Sequence, residues 1–450
     1  MNKLNIEKSY FYIKGYGFRV FFNKAREKIL AEIFSTIRPA SSRNHPAVEF
    51  IRKKIAPLNL NVIQSEQMRV NIIISIIDFR YVFGGYIGVF NLAKKLADSG
   101  FRIRMVITDE CKYEPDVWRQ EIKKYEGLEN FFDRVEVAYV YSRKDPIPVS
   151  THDVFMATSW WTAHIANYAR KFLNSMKFVY LIQEYEPLFY PMGTFAALAL
   201  ESYTFPHYAL FSTGILQGYF KENQLGVFRK GEQIGENASV AVQNAILKFD
   251  VNKTKMVDKE TKKLLYYARP EEHASRNMFE MGMLAISNIL IEGIFQNNQW
   301  EFYGIGSVDW GNHKINLHDK NCIKLLPKMS LEEYKKLLPE FDIGLSLMMS
   351  PHPSLPPLEM AAAGMVVVTN TYANKSAKCL RGISSNIIPA EPTISGIEEA
   401  LKRAIKNSED YEARIKGTQI NWSQSWDDTY NDMVLTKIKS FIEDIQSTGQ

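Results

Sequence analysis

Residues 341–370, FDIGLSLMMSPHPSLPPLEMAAAGMVVVTN, constrain this chain more than any other stretch. The runs 341–348 and 365–369 are apolar throughout rather than alternating, which is the pattern of a parallel strand covered on both faces. Between them a short helix is predicted over 358–363. It is entered through Pro356 and Pro357, whose missing N–H groups would be orphans in a first helical turn anyway. Ser354 is expected to cap the turn before them and Gly364 to end the helix. Strand, helix, strand is a βαβ unit, so the chain is α/β with a parallel sheet. Glu359 falls in the first helical turn at the carboxyl edge of that sheet, where open α/β folds bind ligands. Its carboxylate either complements the helix dipole or accepts hydrogen bonds from a ligand's hydroxyls.

The alternation continues along the chain. Residues 69–77, RVNIIISII, read as a buried strand entering the glycine turn Phe83-Gly84-Gly85-Tyr86; a helix over 87–99 ends at Gly100, and 101–108 supply the next strand. Strands at 135–141, 153–158, 178–183 and 208–213 complete one doubly wound unit. Gly, Lys and Glu at 226–235 mark a linker. Strands at 238–242, 264–268, 300–303, 322–325, 341–348 and 365–369, with a helix over 279–295, form a second unit. One long amphipathic helix is expected over 426–445. The reading is therefore a helical extension 1–65, a first Rossmann-like domain 66–235, a second 236–420, and a segment 421–450. Neither unit has a GxGxxG turn followed by an acidic residue about twenty positions on, which argues against a dehydrogenase. Gly84-Gly85 is either a tight connection or a place where substrate approaches the backbone.

With 450 residues, 46% hydrophobic and 23% charged, the chain has room for two or three cores of ordinary globular composition. Cys111, Cys322 and Cys379 are far apart and odd in number, which fits a reducing interior and no metal-ligand spacing. No apolar run reaches the roughly 18 residues of a membrane span and the start lacks a signal-peptide core, so a cytoplasmic protein is expected. The net charge of +5 hides an asymmetry: residues 1–54 hold twelve Lys or Arg against four Glu, and the remainder is slightly acidic. That lead also carries Tyr10, Phe11, Tyr12, Tyr16, Phe18 and Phe21, and a helical stripe of Phe22, Ile29, Ile33 and Ile37. It is an extension packed on the domain behind it or a peripheral contact with an anionic membrane surface; nucleic acid is the weakest fit.

At this point several segments resemble the retaining glycosyltransferases of family 4, over roughly residues 69–440. Tyr266-Tyr267-Ala268-Arg269-Pro270 stands where that family ends a strand in Gly-Arg, and His273-Ala274-Ser275-Arg276 where a second cation follows. Phe302-Tyr303-Gly304-Ile305-Gly306 resembles its Gly-x-Gly strand end, and Leu325-Leu326-Pro327 the segment that meets the nucleotide base. Leu355-Pro356-Pro357-Leu358-Glu359 matches the second half of its paired-glutamate motif, but the first glutamate falls on Pro351. Gln183-Glu184-Tyr185-Glu186 occupies the site of a family His. Ser212-Thr213-Gly214, Asn244-Ala245-Ile246 and Asn421-Trp422 to Tyr430 also match, the last being the segment whose helix crosses back to the first domain.

The resemblance implies the GT-B architecture, two Rossmann-like doubly wound parallel-sheet domains facing a central cleft. It implies Arg269 and Arg276 on the donor diphosphate, with Gln183 and Glu184 at the reacting centre. Donor contacts would come from Gly84, Gly85, Tyr303, Gly304, Leu326, Pro327, His352, Ser354, Leu355 and Glu359, the last on ribose. No metal or other cofactor is implied. The pattern is most similar to rhamnosyltransferases of bacterial surface-glycan assembly, which use dTDP-rhamnose; a 6-deoxyhexose would best tolerate the loss of the first glutamate. The implied partners are a dTDP-sugar donor and a glycan acceptor, lipid-linked in one version, with the protein peripheral on the inner face of the cytoplasmic membrane. A non-catalytic nucleotide- or carbohydrate-binding protein on the same scaffold is the alternative, and a sugar-nucleotide epimerase a third reading. Trp160-Trp161 stack on an acceptor sugar or belong to the core.

Overall fold

The apolar run beginning at Val70 forms a central strand whose side chains are buried on both faces, as continuous apolar sequence requires. It belongs to a seven-stranded parallel sheet. In chain order its strands are β1 (Arg69–Ile74), β2 (Arg102–Ile107), β3 (Glu136–Tyr139), β4 (Val154–Ala157), β5 (Phe178–Ile182), β6 (His207–Phe211) and β7 (Ser239–Ala241). Their spatial order is β3-β2-β1-β4-β5-β6-β7. A second sheet contains β8 (Thr261–Tyr267), β9 (Gln299–Ile305), β10 (Lys314–Asn316), β11 (Cys322–Leu325), β12 (Ile343–Leu345), β13 (Val366–Asn370) and β14 (Ile387–Ala390). Its order is β10-β11-β9-β8-β12-β13-β14, parallel except for the edge strand β10. Both orders reverse direction once, next to β1 and next to β8, which creates a crevice at the carboxyl ends of those strands. The fold is GT-B. This computed structural model describes residues 45–447 apart from 66, 81, 83, 174, 258, 296–298 and 308–309.

By internal contacts the chain divides into residues 1–53 and 54–450. Of the first unit, the described part is the start of helix Pro46–Lys54. The basic aromatic lead and its stripe of Phe22, Ile29, Ile33 and Ile37 lie outside the described residues. Both Rossmann-like domains belong to the second unit. Among the described residues no helix is long and apolar enough to cross a membrane.

Two boundaries differ from the sequence reading. Residues 226–235 are not a linker: a 3-10 turn at Gly226–Lys230 leads into helix Glu232–Asn237, and a Cβ on Gly235 would meet the Phe228 ring at 2.1 Å. That packing carries the chain into β7, which pairs in parallel with β6 and so belongs to the first sheet, not the second. The expected helix over 426–445 is two, Trp426–Thr429 and Asp432–Ser447, because Tyr430 leaves helical geometry and Asn431 restarts the turn by accepting the Val434 N–H at 3.1 Å. On the second helix Val434, Ile438, Phe441, Ile442 and Ile445 are buried with Val70, Ile72 and Leu96 in one apolar cluster of the first domain. The Phe441 ring stacks on Tyr208 at 4.3 Å.

Each sheet is pinned at its amino edge by a buried aspartate. Asp153, just before β4, accepts from the Arg69 N–H (2.8 Å) and Asn71 Nδ2 (3.1 Å), with Arg104 Nη2 at 3.5 Å. Asp342, just before β12, accepts from the Lys263 N–H (2.9 Å), Arg414 Nη1 (3.1 Å) and Lys259 Nζ (3.4 Å). Buried charges persist only when paired and hydrogen-bonded in this way.

Candidate active site

Because both sheets point their carboxyl ends at each other, the turns leaving β1, β4, β5, β8 and β12 line one cleft of about 1930 Å³. On the first domain the wall begins with helix Gly84–Asp98, whose two leading glycines stand where side chains would collide. A Cβ on Gly84 would lie 2.9 Å from Leu355 Cδ1 of the second domain, and one on Gly85 3.3 Å from Gln183 Oε1. Glycine is used here for close approach rather than for an unusual backbone angle.

The turn after β5 carries Gln183, Glu184 and Glu186. The Gln183 carbonyl accepts from Ser212 Oγ at 2.9 Å, which fixes the turn. Glu184 reaches the other domain: Oε1 accepts from Ser350 Oγ at 2.7 Å, and Oε2 lies 3.6 Å from Arg276 Nε. Glu186 points back into its own domain, where Oε2 accepts the Trp160 N–H at 2.8 Å; burial pushes its carboxyl up to about 8.

The second domain supplies Arg269 and Arg276. Arg269, immediately beyond β8, is held by Glu271 (3.1 Å), the Tyr267 hydroxyl (3.2 Å) and His273 Nε2 (3.2 Å). Arg276 lies over the Phe189 ring at 4.3 Å, so the first domain steers it by cation–π contact as well as by Glu184. His352 is buried, and the Ser354 N–H donates to its Nδ1 at 2.9 Å, which leaves the proton of the neutral ring on Nε2. Burial holds its pKa below the usual histidine range, against the opposing pull of Glu184. Glu359 accepts from the Tyr334 hydroxyl at 3.0 Å and from the Leu247 N–H at 3.4 Å, and burial raises its carboxyl.

Of the residues singled out from sequence, Gly84, Gly85, Gln183, Glu184, Arg269, Arg276, Pro327, His352, Ser354, Leu355 and Glu359 line this cleft. Tyr303, Gly304 and Leu326 do not. Strand β9 runs on through Ile305, so Tyr303 and Gly304 lie inside it. Tyr303 donates to Glu301 at 2.9 Å, and the Gly304 carbonyl accepts the Leu326 N–H at 2.8 Å. The strand end that does reach the cleft is Ile305, Gly306 and Ser307. Ser354 caps nothing: it takes a left-handed backbone (φ 65°) that turns its N–H onto His352, and helix Pro356–Ala362 begins from Leu355. Two prolines need no cap, having no donors to satisfy.

Sequence reasoning passed over Lys328, Tyr334 and Ser350. Lys328 follows the expected Leu326-Pro327 directly and donates to the carbonyls of Phe79 (2.7 Å) and Arg80 (2.9 Å) in the other domain; its adjacency was a usable signal. Tyr334 and Ser350 carried none, because their partners are distant in sequence. Among the described residues no group of three or more His, Cys, Asp or Glu is placed to hold a metal ion.

With this geometry in hand, comparison with known proteins is informative. Residues 69–213 match the family model of the WsaF N-terminal domain, and residues 262–402 that of the WsaF C-terminal domain. The chain is 29% identical over 264 residues to the O-antigen biosynthesis protein RfbC of Myxococcus xanthus, a match covering 57% of this chain and 18% of that much longer protein. In fold it is similar to HepE of Anabaena, solved with UDP and glucose (TM-score 0.54, 12% identity, 84% of this chain and 100% of that one). It is similar also to sucrose-phosphate synthase of Thermosynechococcus elongatus (TM-score 0.52, 9% identity, 84% and 99%). The two WsaF matches thus fall one on each Rossmann-like domain, and these neighbours share the GT-B fold.

Proposed function

We propose that this chain, with both WsaF domains in order on a GT-B fold, is a retaining glycosyltransferase of surface-polysaccharide assembly that moves a 6-deoxyhexose, L-rhamnose from dTDP-rhamnose, onto an acceptor hydroxyl. The observation that carries the reading is convergence: Arg269, Arg276 and Glu359 of one domain share a single cleft with Gly84, Gly85, Gln183 and Glu184 of the other. A nucleotide-sugar donor is further supported by the UDP and UDP-glucose bound to HepE.

Cleaving an anomeric carbon from a nucleoside diphosphate leaves negative charge on phosphate and positive charge on the ring. Arg269 answers the first with a guanidinium that forks onto two oxygens, and Arg276 adds a second cation a short loop away. Fixed donors of this kind are worth about 3 kcal/mol each at a developing anion. Glu184 answers the second: Ser350, the residue before Pro351, holds its carboxylate from across the cleft, beside the place where the resemblance expects a first glutamate. Glu359 takes the ribose hydroxyls, which would replace the Tyr334 hydroxyl and Leu247 N–H or share its lone pairs with them. In the front-face route that the resemblance implies, the acceptor hydroxyl attacks on the face the diphosphate leaves, and a diphosphate oxygen takes its proton. Closure of the domains excludes water and limits donor hydrolysis.

The test is incubation with dTDP-, UDP- and GDP-linked sugars and a glycan acceptor. Transfer from dTDP-rhamnose with the α or β configuration of the donor preserved supports the reading. Thermal stabilisation by every nucleotide without transfer from any of the sugars refutes it and leaves a binding protein.

A further inference from the structure

The acceptor side of the cleft contains a carboxyl group that the chemistry above leaves unused. Glu186 is 6% exposed, yet it forms no ion pair among the described residues. Its Oε2 is committed to the Trp160 N–H, whereas Oε1 takes none of the hydrogen bonds found there, and the residue lines the cleft. Around it stand Trp161, Phe189 and Tyr190, which line the same wall, and the Trp161 indole N–H is buried without a partner. The wall is rigid at its base: Trp160 Nε1 donates to the Tyr190 hydroxyl at 3.0 Å, and Tyr203 donates its hydroxyl proton toward the turn carbonyl of Glu184 at 3.4 Å.

We propose that this wall is the seat of the acceptor sugar, that Glu186 sits in it as a neutral carboxylic acid donating a hydrogen bond to a sugar hydroxyl, and that the site therefore selects an uncharged glycan over a uronic-acid or phosphorylated one. The inference rests on the glycosyltransferase reading and narrows its acceptor. Aromatic faces bind the C–H faces of sugars, and an acid that is both donor and acceptor suits a hydroxyl. An anionic acceptor would meet the like charge of the Glu184 carboxylate at the mouth. The groups facing Glu186 agree with a neutral form. They are Glu184 and the hydroxyls of Tyr180, Tyr190 and Tyr203, while the cations on the wall are engaged elsewhere, Arg276 by Glu184 and Lys54, over the Trp161 ring at 4.1 Å, by Asp109. Burial lifts the carboxyl to about 8, so the acid form prevails at neutral pH.

The experiment uses the full chain saturated with dTDP and two probes, methyl α-L-rhamnoside and methyl β-D-glucuronide, with binding read by saturation-transfer NMR. The rhamnoside is expected to bind and the glucuronide not. Since the acid ionises between pH 7 and pH 9, the rhamnoside Kd should rise about tenfold over that range. In Glu186→Gln, which keeps a donor at all pH values, the Kd should be flat across it. In Glu186→Leu binding should fall at least tenfold at pH 7. dTDP affinity, measured on the same samples, reports that the variants are folded. Equal binding of both probes, or a wild-type Kd that ignores pH, overturns the inference while leaving transfer intact. Absence of dTDP binding and of transfer in the wild type would instead overturn the reading beneath it.

Discussion

At the amino ends of their central strands the two domains solve one problem alike: Asp153 and Asp342 each accept a backbone N–H from the adjacent strand and face a buried arginine. At the carboxyl ends they part. Around the strand-end turns the first domain places Gly84, Gly85, Glu184, Glu186 and an aromatic wall; the second places Arg269, Arg276, His352 and Glu359. Shared anchors with divergent rims separate what holds a Rossmann-like sheet from what it is used for, and fold arguments bear on the first alone. The anchors also differ in reach. Arg104 comes from a neighbouring strand and keeps Asn71 and the Pro148 carbonyl as partners, whereas Arg414 arrives from helix Tyr411–Lys416 and ties Asp342 to the carbonyls of Gly364, Ser408 and Phe341.

The comparison breaks first, if it breaks, on stability. Asp342→Ala leaves two buried cations, Arg414 (1% exposed) and Lys259, without their counter-charge, and a cost of about 3–5 kcal/mol is expected in chemical denaturation. Asp153→Ala should cost less, because Arg104 Nη2 lies 3.5 Å from that carboxylate without a hydrogen bond to it, whereas Asp342 takes hydrogen bonds from two cations; equal losses would mean the anchors are not distinguished in this way. Next comes division of labour between the rims. Arg269→Ala should weaken dTDP binding by about 2–3 kcal/mol, measured by calorimetry, since it removes charge-assisted hydrogen bonds to the diphosphate. Glu184→Gln, on the other rim, should lower kcat more than it changes dTDP affinity; a larger effect on affinity would move Glu184 into nucleotide binding.

A smaller effect tests the contact between rims. Gly84→Ala places a methyl group 2.9 Å from the end of the Leu355 side chain, and kcat/KM should fall several-fold. Leu355→Ala in the same chain should recover most of it, the coupling expected of residues in contact. Smallest, Tyr334→Phe removes one hydrogen bond from Glu359 and should change nucleoside affinity by about 1 kcal/mol in calorimetry. The sign is informative: weaker binding means Tyr334 orients the carboxylate for ribose, and tighter binding means it competes with ribose.

How much of this was legible follows from the physics of each element. Buried parallel strands announce themselves as continuous apolar runs, so residues 69–74 and 366–370 were readable, and the proline pair fixed the start of helix Pro356–Ala362. Strand ends were less so. Tyr303-Gly304 matched a motif while lying inside β9, because sequence cannot say where pairing with β8 and β11 stops. Glycine at 235 suggested a linker when its role is to clear Phe228. The other residues expected on strand-end turns, Leu326 apart, do line the cleft, because the turns leaving parallel strands converge there. Those whose meaning lies in a distant partner were not legible: Ser350 matters through Glu184 and Tyr334 through Glu359, across 166 and 25 residues respectively.

The helix Asp432–Ser447 has a consequence for the order of assembly. The first domain's apolar face over β4, β5 and β7 is covered by the helix of Val434, Ile438 and Phe441, which emerge from the ribosome only after the whole second domain has been made. Folding during synthesis must therefore proceed with that patch on the earlier domain uncovered until residue 445 arrives. The return path is stitched to the outward one, with Trp422 Nε1 donating to the Asn244 carbonyl at 2.9 Å and Thr429 Oγ1 to that of Gln243 at 2.7 Å. The returning stretch thus makes, with the outward one, a two-ply connection between the domains.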